Sequence, residues 1–180
     1  MAVHRKQDGP VKPDGAEKGR KPMAKQIKTN VMRLLDGAKI PYKDHCYADT
    51  GVISGVDVAR VLNQPVERVF KTLVTEGASK EHYVFVVPVE QELDLKKAAK
   101  AVGEKSIAMI KSKELLSLTG YIHGGCSPIG MKKFFRTTVD ITAKEQETIC
   151  VSAGKIGYQV ELAPADLEKM IRLTYADITA

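Results

Sequence analysis

Val69-Phe70-Lys71-Thr72-Leu73-Val74-Thr75 and His82-Tyr83-Val84-Phe85-Val86-Val87-Pro88, joined by the turn Gly77-Ala78-Ser79-Lys80, decide the fold class of this 180-residue chain. Both runs are rich in β-branched and aromatic residues, and a glycine-containing turn separates them, which predicts a strand pair. The second is almost continuously apolar, as expected of a strand buried on both faces near the middle of a sheet. Lys71 interrupts the first. Strand alternation groups it with Val69 and Leu73. If those two face the core, its ammonium lies on the apolar side and needs a compensating anion. If Phe70 and Val74 face the core instead, Lys71 faces water. The residues leave both orientations open.

Working outward, Val31, Met32, Leu34 and Leu35 after Thr29-Asn30 predict a helix ending near Gly37. A strand over Tyr42 to Tyr47 follows Pro41, then a helix from Ser54 to Leu62 that buries Val58, Ala59, Val61 and Leu62. Beyond the strand pair, Leu95, Ala98, Ala99 and Val102 mark a helix within 93–102 that stops at Gly103. Ile107 to Ile110 reads as a short strand, and Ser112 to Leu118 as a helix capped by Ser112, with Glu114 nearby. Strands over 137–141, 148–152 and 158–162 precede a last helix that starts at Pro164-Ala165-Asp166 and turns Leu167, Met170 and Ile171 inward. Strands and helices mix without regular βαβ alternation. The expected class is mixed α/β (α+β), not a doubly wound nucleotide fold.

Composition narrows the function classes. Hydrophobic content of 43% and charged content of 28% are ordinary for a water-soluble domain. No apolar run reaches the roughly 18 residues of a membrane span, and the first 25 residues lack the apolar stretch of a secretory signal. Cys46, Cys126 and Cys150 form no C-x-x-C pair, so free thiols in a reducing cytoplasm are expected. The formal charge of +6 is unevenly spread: residues 1–25 hold seven bases against three acids, and the rest holds 21 against 19. Residues 1–22 are therefore expected to be a disordered basic extension, and 23–180 one domain without the general basic footprint of a DNA-binding protein.

The segment Gly124-Gly125-Cys126-Ser127-Pro128-Ile129-Gly130-Met131-Lys132-Lys133 carries the chemistry. Glycine backbone can turn sharply and present its N–H to a ligand oxygen. The stretch from Gly125 to Gly130 has P-loop spacing, but Met131 replaces the lysine that must follow, which excludes an NTPase. Ser127 has Gly125 two residues before it and Ile129 two after it, so it is not a nucleophile elbow. Cys126, with His123 near in sequence, reads as a small buried thiol rather than a nucleophile. His4, His45, His82 and His123 are scattered, and neither metal nor cofactor is expected. A second glycine cluster, Val151-Ser152-Ala153-Gly154-Lys155-Ile156-Gly157, lies between two apolar strands and reads as a hairpin turn.

Taken in order, Val69 to Leu73, Leu95 to Lys100, Thr119-Gly120-Tyr121, the loop 124–133 and the stretch Glu147 to Gly157 resemble the YbaK family of aminoacyl-tRNA editing proteins. The resemblance runs from about Lys25 to the C-terminus. It implies a strongly curved mixed β-sheet flanked by helices, like the editing domain inserted in prolyl-tRNA synthetase. It also implies removal of cysteine from mischarged tRNA(Pro), with prolyl-tRNA synthetase as a partner that presents the tRNA. By the same resemblance Lys71 matches the family's essential lysine, Gly124 and Gly125 line the aminoacyl site, and Tyr47, Ser127, Ser152 and Gly154 contact substrate. Asp140 sits in a matching T-x-x-D stretch and is not expected to be catalytic. Ala153 and Ile156 stand where relatives often carry Gly and Arg, so Lys155 becomes the candidate for the basic contact. An Ala-tRNA(Pro) deacylase and a non-catalytic tRNA- or synthetase-binding module are the alternatives.

Overall fold

The computed structural model describes residues 27–180, and the extension expected over 1–22 lies outside them. Eight strands and five α-helices follow one another with strands and helices intermixed. The first half contains α1 (Asn30–Gly37), β1 (Lys43–Cys46), α2 (Gly55–Val61), β2 (Phe70–Gly77), β3 (His82–Pro88), α3 (Leu95–Val102) and β4 (Ile107–Met109). The second half contains α4 (Ser112–Thr119), β5 (Arg136–Asp140), β6 (Ile149–Ser152), β7 (Tyr158–Leu162), α5 (Pro164–Met170) and β8 (Leu173–Ala176). The class is mixed α+β, as expected, but the strands divide into two sheets. One has the order β1-β7-β6 and the other β4-β2-β3-β5-β8. A parallel bridge between Val69 and Cys150 joins them at a seam.

β3 is central. Antiparallel β2 lies on one side and parallel β5 on the other, and every residue from Tyr83 to Pro88 is buried. Its alternation feeds two cores. Val84 and Val86 join Phe70, Val74 and Val139 in the larger core, closed by α1 through Val31, Met32 and Leu35 and by the inner face of the small sheet. Tyr83, Phe85 and Val87 face α3 through Ala98, Ala99 and Val102. A sheet buried on both faces removes the choice left open for Lys71. Phe70 and Val74 enter the larger core, while Lys71 pairs with Val87 on the α3 side and keeps 29% of its side chain exposed.

Local signals placed most helix boundaries. Thr29 and Ser54 cap α1 and α2, their hydroxyl oxygens accepting from the N–H groups of Met32 and Asp57. The start of α3 moves to Leu95 because the Asp94 carboxylate accepts from Lys96 and Lys97, and this leaves Leu95 on the exposed side. Val61 is likewise exposed, not part of the buried side of α2. The cap of α4 is Lys111, not Ser112: the Glu114 carboxylate accepts the Lys111 N–H at 3.1 Å, and Ser112 is already helical. Strand β8 was not expected. Four residues of mixed polarity, Leu173-Thr174-Tyr175-Ala176, give little periodic signal, and parallel pairing to β5 creates the strand.

Asp140 is structural. It is 1% exposed, and its two oxygens accept from the Thr142 hydroxyl, the Thr142 N–H and the Ile178 N–H, tying the end of β5 to the C-terminal segment. We expect Asp140→Ala to lower stability by roughly 2–3 kcal/mol, because it strands a buried N–H. Exposed Glu147→Ala should stay within about 0.5 kcal/mol. Urea denaturation of the two variants checks this.

Candidate active site

β2 pairs with β3 along its whole length but with β4 only from Thr75 to Gly77. Between the Val69–Cys150 bridge and the Ile110 N–H on Val74 O, its edge is therefore open around Thr72, and a cavity of about 530 Å³ lies against it. Gly77 N–H donates to Glu81 across the β2–β3 pair, whereas Ile110 N–H donates to Val74 O from the other side. By alternation, the peptide groups of Thr72 point out of the sheet edge toward the cavity. The Thr72 hydroxyl is also buried there, without a partner among the described residues.

Three further segments close the cavity. The start of α2 contributes Ser54, Gly55 and Val56. The small sheet contributes Ser152 and Gln159, and the glycine loop contributes His123, Gly124 and Cys126. Tyr47 and Leu115 line it as well. Of the residues expected at a site, Lys71, Tyr47, Gly124 and Ser152 thus meet around one space. Gly125, Ser127 and Gly154 stand behind it. The Gly125 N–H is donated to Ile122 O at 3.0 Å, the buried Ser127 hydroxyl accepts from Ile129 N–H, and Gly154 N–H donates to the Ser152 hydroxyl. Gly124 differs: it lines the cavity with φ +86°, and its N–H has no acceptor among the described residues.

The two glycine loops touch through bare backbone. A Cβ on Gly125 would lie 3.0 Å from the Ile156 nitrogen, so any side chain there would force the facing backbone to give way by a few tenths of an ångström. Gly154, at φ +88°, sits against the Tyr121 ring, where a Cβ would come within 2.8 Å of Cε1. The Tyr121 hydroxyl donates to Ile129 O, so one tyrosine packs under one loop and hydrogen-bonds the other.

Electrostatics leave the cavity with a cation and without an evident nucleophile. Lys71 Nζ lies 3.5 Å from Glu92 Oε1, and Glu92 is 84% exposed, so this anion can be displaced at little cost. Burial pushes the Cys126 thiol up to about 12, opposed weakly by a hydrogen bond from Thr119, and so keeps it protonated. Burial also raises the Tyr47 phenol, against a weaker opposing bond from the Gly157 backbone. Tyr47 is therefore a neutral hydroxyl at the wall.

Gln159 went unnoticed in the sequence. It is 4% exposed, lines the cavity, and accepts from Gln64 Nε2 at 2.7 Å. Gln159 and Glu161 alternate with Val160 and Leu162, a pattern that ordinarily marks a solvated face. Here α2 and the turn after it cover that face.

The aminoacyl-tRNA editing domain family model matches residues 52–170. The chain is 47% identical over 155 residues to an Enterococcus faecalis protein with the provisional name Cys-tRNA(Pro)/Cys-tRNA(Cys) deacylase EbsC, covering 86% of this chain and 94% of that one. It is 27% identical over 107 residues to the proline–tRNA ligase of Burkholderia orbicola, spanning 57% of this chain and 18% of the ligase. Among solved structures, a protein provisionally described as a trans-editing enzyme for prolyl tRNA synthetase superposes with a TM-score of 0.71 at 22% identity, covering 84% of this chain and 98% of that one.

Gly154→Ala tests the loop packing. The left-handed backbone and the Tyr121 contact should together cost roughly 1–3 kcal/mol, read as a lower thermal midpoint. An unchanged midpoint would mean that the Tyr121 ring yields freely. Because the family model spans 52–170, most of the chain and every strand except β1 and β8, the chain belongs to the aminoacyl-tRNA editing domain family.

Proposed function

We propose that this chain is a free-standing deacylase that removes cysteine from mischarged Cys-tRNA(Pro). The observation that carries it is the meeting of Lys71 and Gly124 around a cavity whose one thiol, Cys126, is held protonated. A site with a cation and a backbone donor, but with no nucleophile hydrogen-bonded to His123 among the described residues, suits a substrate that supplies its own nucleophile. Family membership and the relative's name agree with that substrate class.

The ester between cysteine and the terminal ribose places the substrate's Sγ two bonds from the Cα that bears the carbonyl. Attack of Sγ on the carbonyl carbon forms the C–S bond and breaks the ester C–O bond. The thiol proton leaves with the ribose oxygen, so the products are free tRNA and a cysteine thiolactone, which water then opens. No residue of the protein changes covalently. Its work is to hold the ester in an attacking geometry and to stabilise the oxyanion as it develops.

In this reading the Gly124 N–H, which has no acceptor among the described residues, stabilises that oxyanion, with Thr72 on the strand edge as a second polar contact. Lys71 holds the terminal nucleotide's phosphate as a point charge, exchanging its weak pairing with Glu92 for a stronger one. Tyr47 and Ser152 bound the aminoacyl group. With few bases in excess of acids beyond residue 25, tRNA(Pro) is presented by prolyl-tRNA synthetase, and the chain itself contributes the terminal site.

The test is single-turnover deacylation of Cys-tRNA(Pro), Cys-tRNA(Cys) and Ala-tRNA(Pro) by the purified protein. We expect cysteine to be released and alanine retained. Lys71→Ala should lose at least about 100-fold in rate while melting like the parent, a loss of some 2.7 kcal/mol in transition-state binding. Cys126→Ala should remain within a few-fold. Loss of activity in Cys126→Ala with an unchanged fold, or equal cleavage of the alanyl ester, would overturn the thiol-assisted mechanism. Absence of any deacylation would favour a binding module.

A further inference from the structure

The spacing of His45, Cys150 and Glu161 in the chain resembles no metal motif, yet three strands bring them together. Cys150 on β6 lies directly opposite Glu161 on β7, and His45 on β1 lies opposite Gln159, one alternate position from Glu161. Cross-strand neighbours at these offsets share one face of a sheet. A histidine nitrogen, the cysteine sulfur and a carboxylate oxygen all fall within 4.8 Å of one another. We propose that these three residues form a zinc site on the outer face of the small sheet, separate from the deacylation chemistry and independent of that assignment.

The donor set is nitrogen, sulfur and oxygen, a combination that suits zinc and not the oxygen-seeking magnesium or calcium. Thiolate and carboxylate together supply two negative charges to a divalent cation. Glu161 is already oriented for the task. One of its oxygens lies 2.8 Å from His45 Nε2, and the other accepts from the Thr148 hydroxyl at 2.6 Å, the kind of outer contact that fixes a ligating carboxylate. Cys150 is 1% exposed and forms the closed end of the site, while the His45 side chain is 27% exposed and forms the open end. A water would enter from that side as fourth ligand.

Ligands around a tetrahedral zinc at about 2.0–2.3 Å stand roughly 3.3–3.8 Å apart. The widest separation must therefore close by about 1 Å and the His45–Glu161 contact must open slightly, changes within reach of side-chain torsions. Burial, then the Glu161 charge, pushes the Cys150 thiol up to about 12, and nearby Arg68 acts the other way. Binding breaks the S–H bond, forms Zn–S and releases one proton to solvent. It would join all three strands of the small sheet, one alternate position from Ser152 and Gln159 in the cavity wall. It would also hold the seam, because Cys150 bridges to Val69 of the larger sheet.

The experiment is a cobalt(II) titration of the reduced, metal-free full chain, followed by displacement with zinc. Expected are a thiolate-to-cobalt charge-transfer band, intense visible bands of a tetrahedral ion, one equivalent per chain, and a thermal midpoint raised by zinc. His45→Ala and Cys150→Ser should each weaken binding at least about 10-fold, and Cys46→Ser, at an exposed neighbouring thiol, should leave it unchanged. A missing charge-transfer band, or one lost in Cys46→Ser instead, overturns the proposal. If Cys150→Ser does not fold, the part-exposed His45→Ala decides: full-strength binding in that variant also overturns it.

Discussion

Two glycine loops meet backbone to backbone, and the geometry of the cavity depends on that contact. The Gly125 α-carbon approaches the Lys155–Ile156 peptide so closely that a Cβ would press on main-chain atoms, which cannot rotate away. Tyr121 completes the arrangement, with its ring under Gly154 and its hydroxyl on Ile129 O. The inner residues of both loops are committed to this packing, whereas Gly124 lines the cavity and its N–H has no acceptor among the described residues. The glycines thus divide the labour: those behind set the distance, and the one in front keeps a free donor.

The division of the strands into two sheets produces the rest of the site. Because β4 is short, β2 keeps an open edge around Thr72, and among the described residues the strands of the small sheet pair with the large one at the Val69–Cys150 bridge alone. The cavity occupies the angle between an unpaired strand edge and the outer face of β6 and β7. An open edge normally invites aggregation. Here it is lined by α2 and the glycine loop, and the Thr72 peptide groups remain available to a ligand.

Burial governs the chemistry more than charge does. Cys126 and Cys150 are both too deeply placed to ionise easily, so neither is an activated nucleophile. Lys71 keeps its ammonium near water and its stem beside β3. What the cavity can offer is position and dipoles, which is what the proposed attack by the substrate's own thiol requires.

Much of this was legible in the chain. The apolar run Tyr83 to Val87 marked the central strand, Thr29 and Ser54 marked helix starts, and the failed P-loop and elbow patterns excluded two enzyme classes before any coordinates. These are local signals, carried by the few residues around each position. Strand β8, the Lys111 cap, the exposure of Leu95 and the burial of Gln159 were not legible, since each depends on a partner distant in sequence. The orientation of Lys71 belongs with them: alternation limits a strand residue to two faces, and only the presence of a core on both sides determines what each face meets. The same holds for His45, Cys150 and Glu161. By itself the sequence determined which segments form strands and helices and which residue types carry chemistry. Only the tertiary structure decided which of them stand within reach of one another, because pairing register converts separations of a hundred residues into a few ångströms.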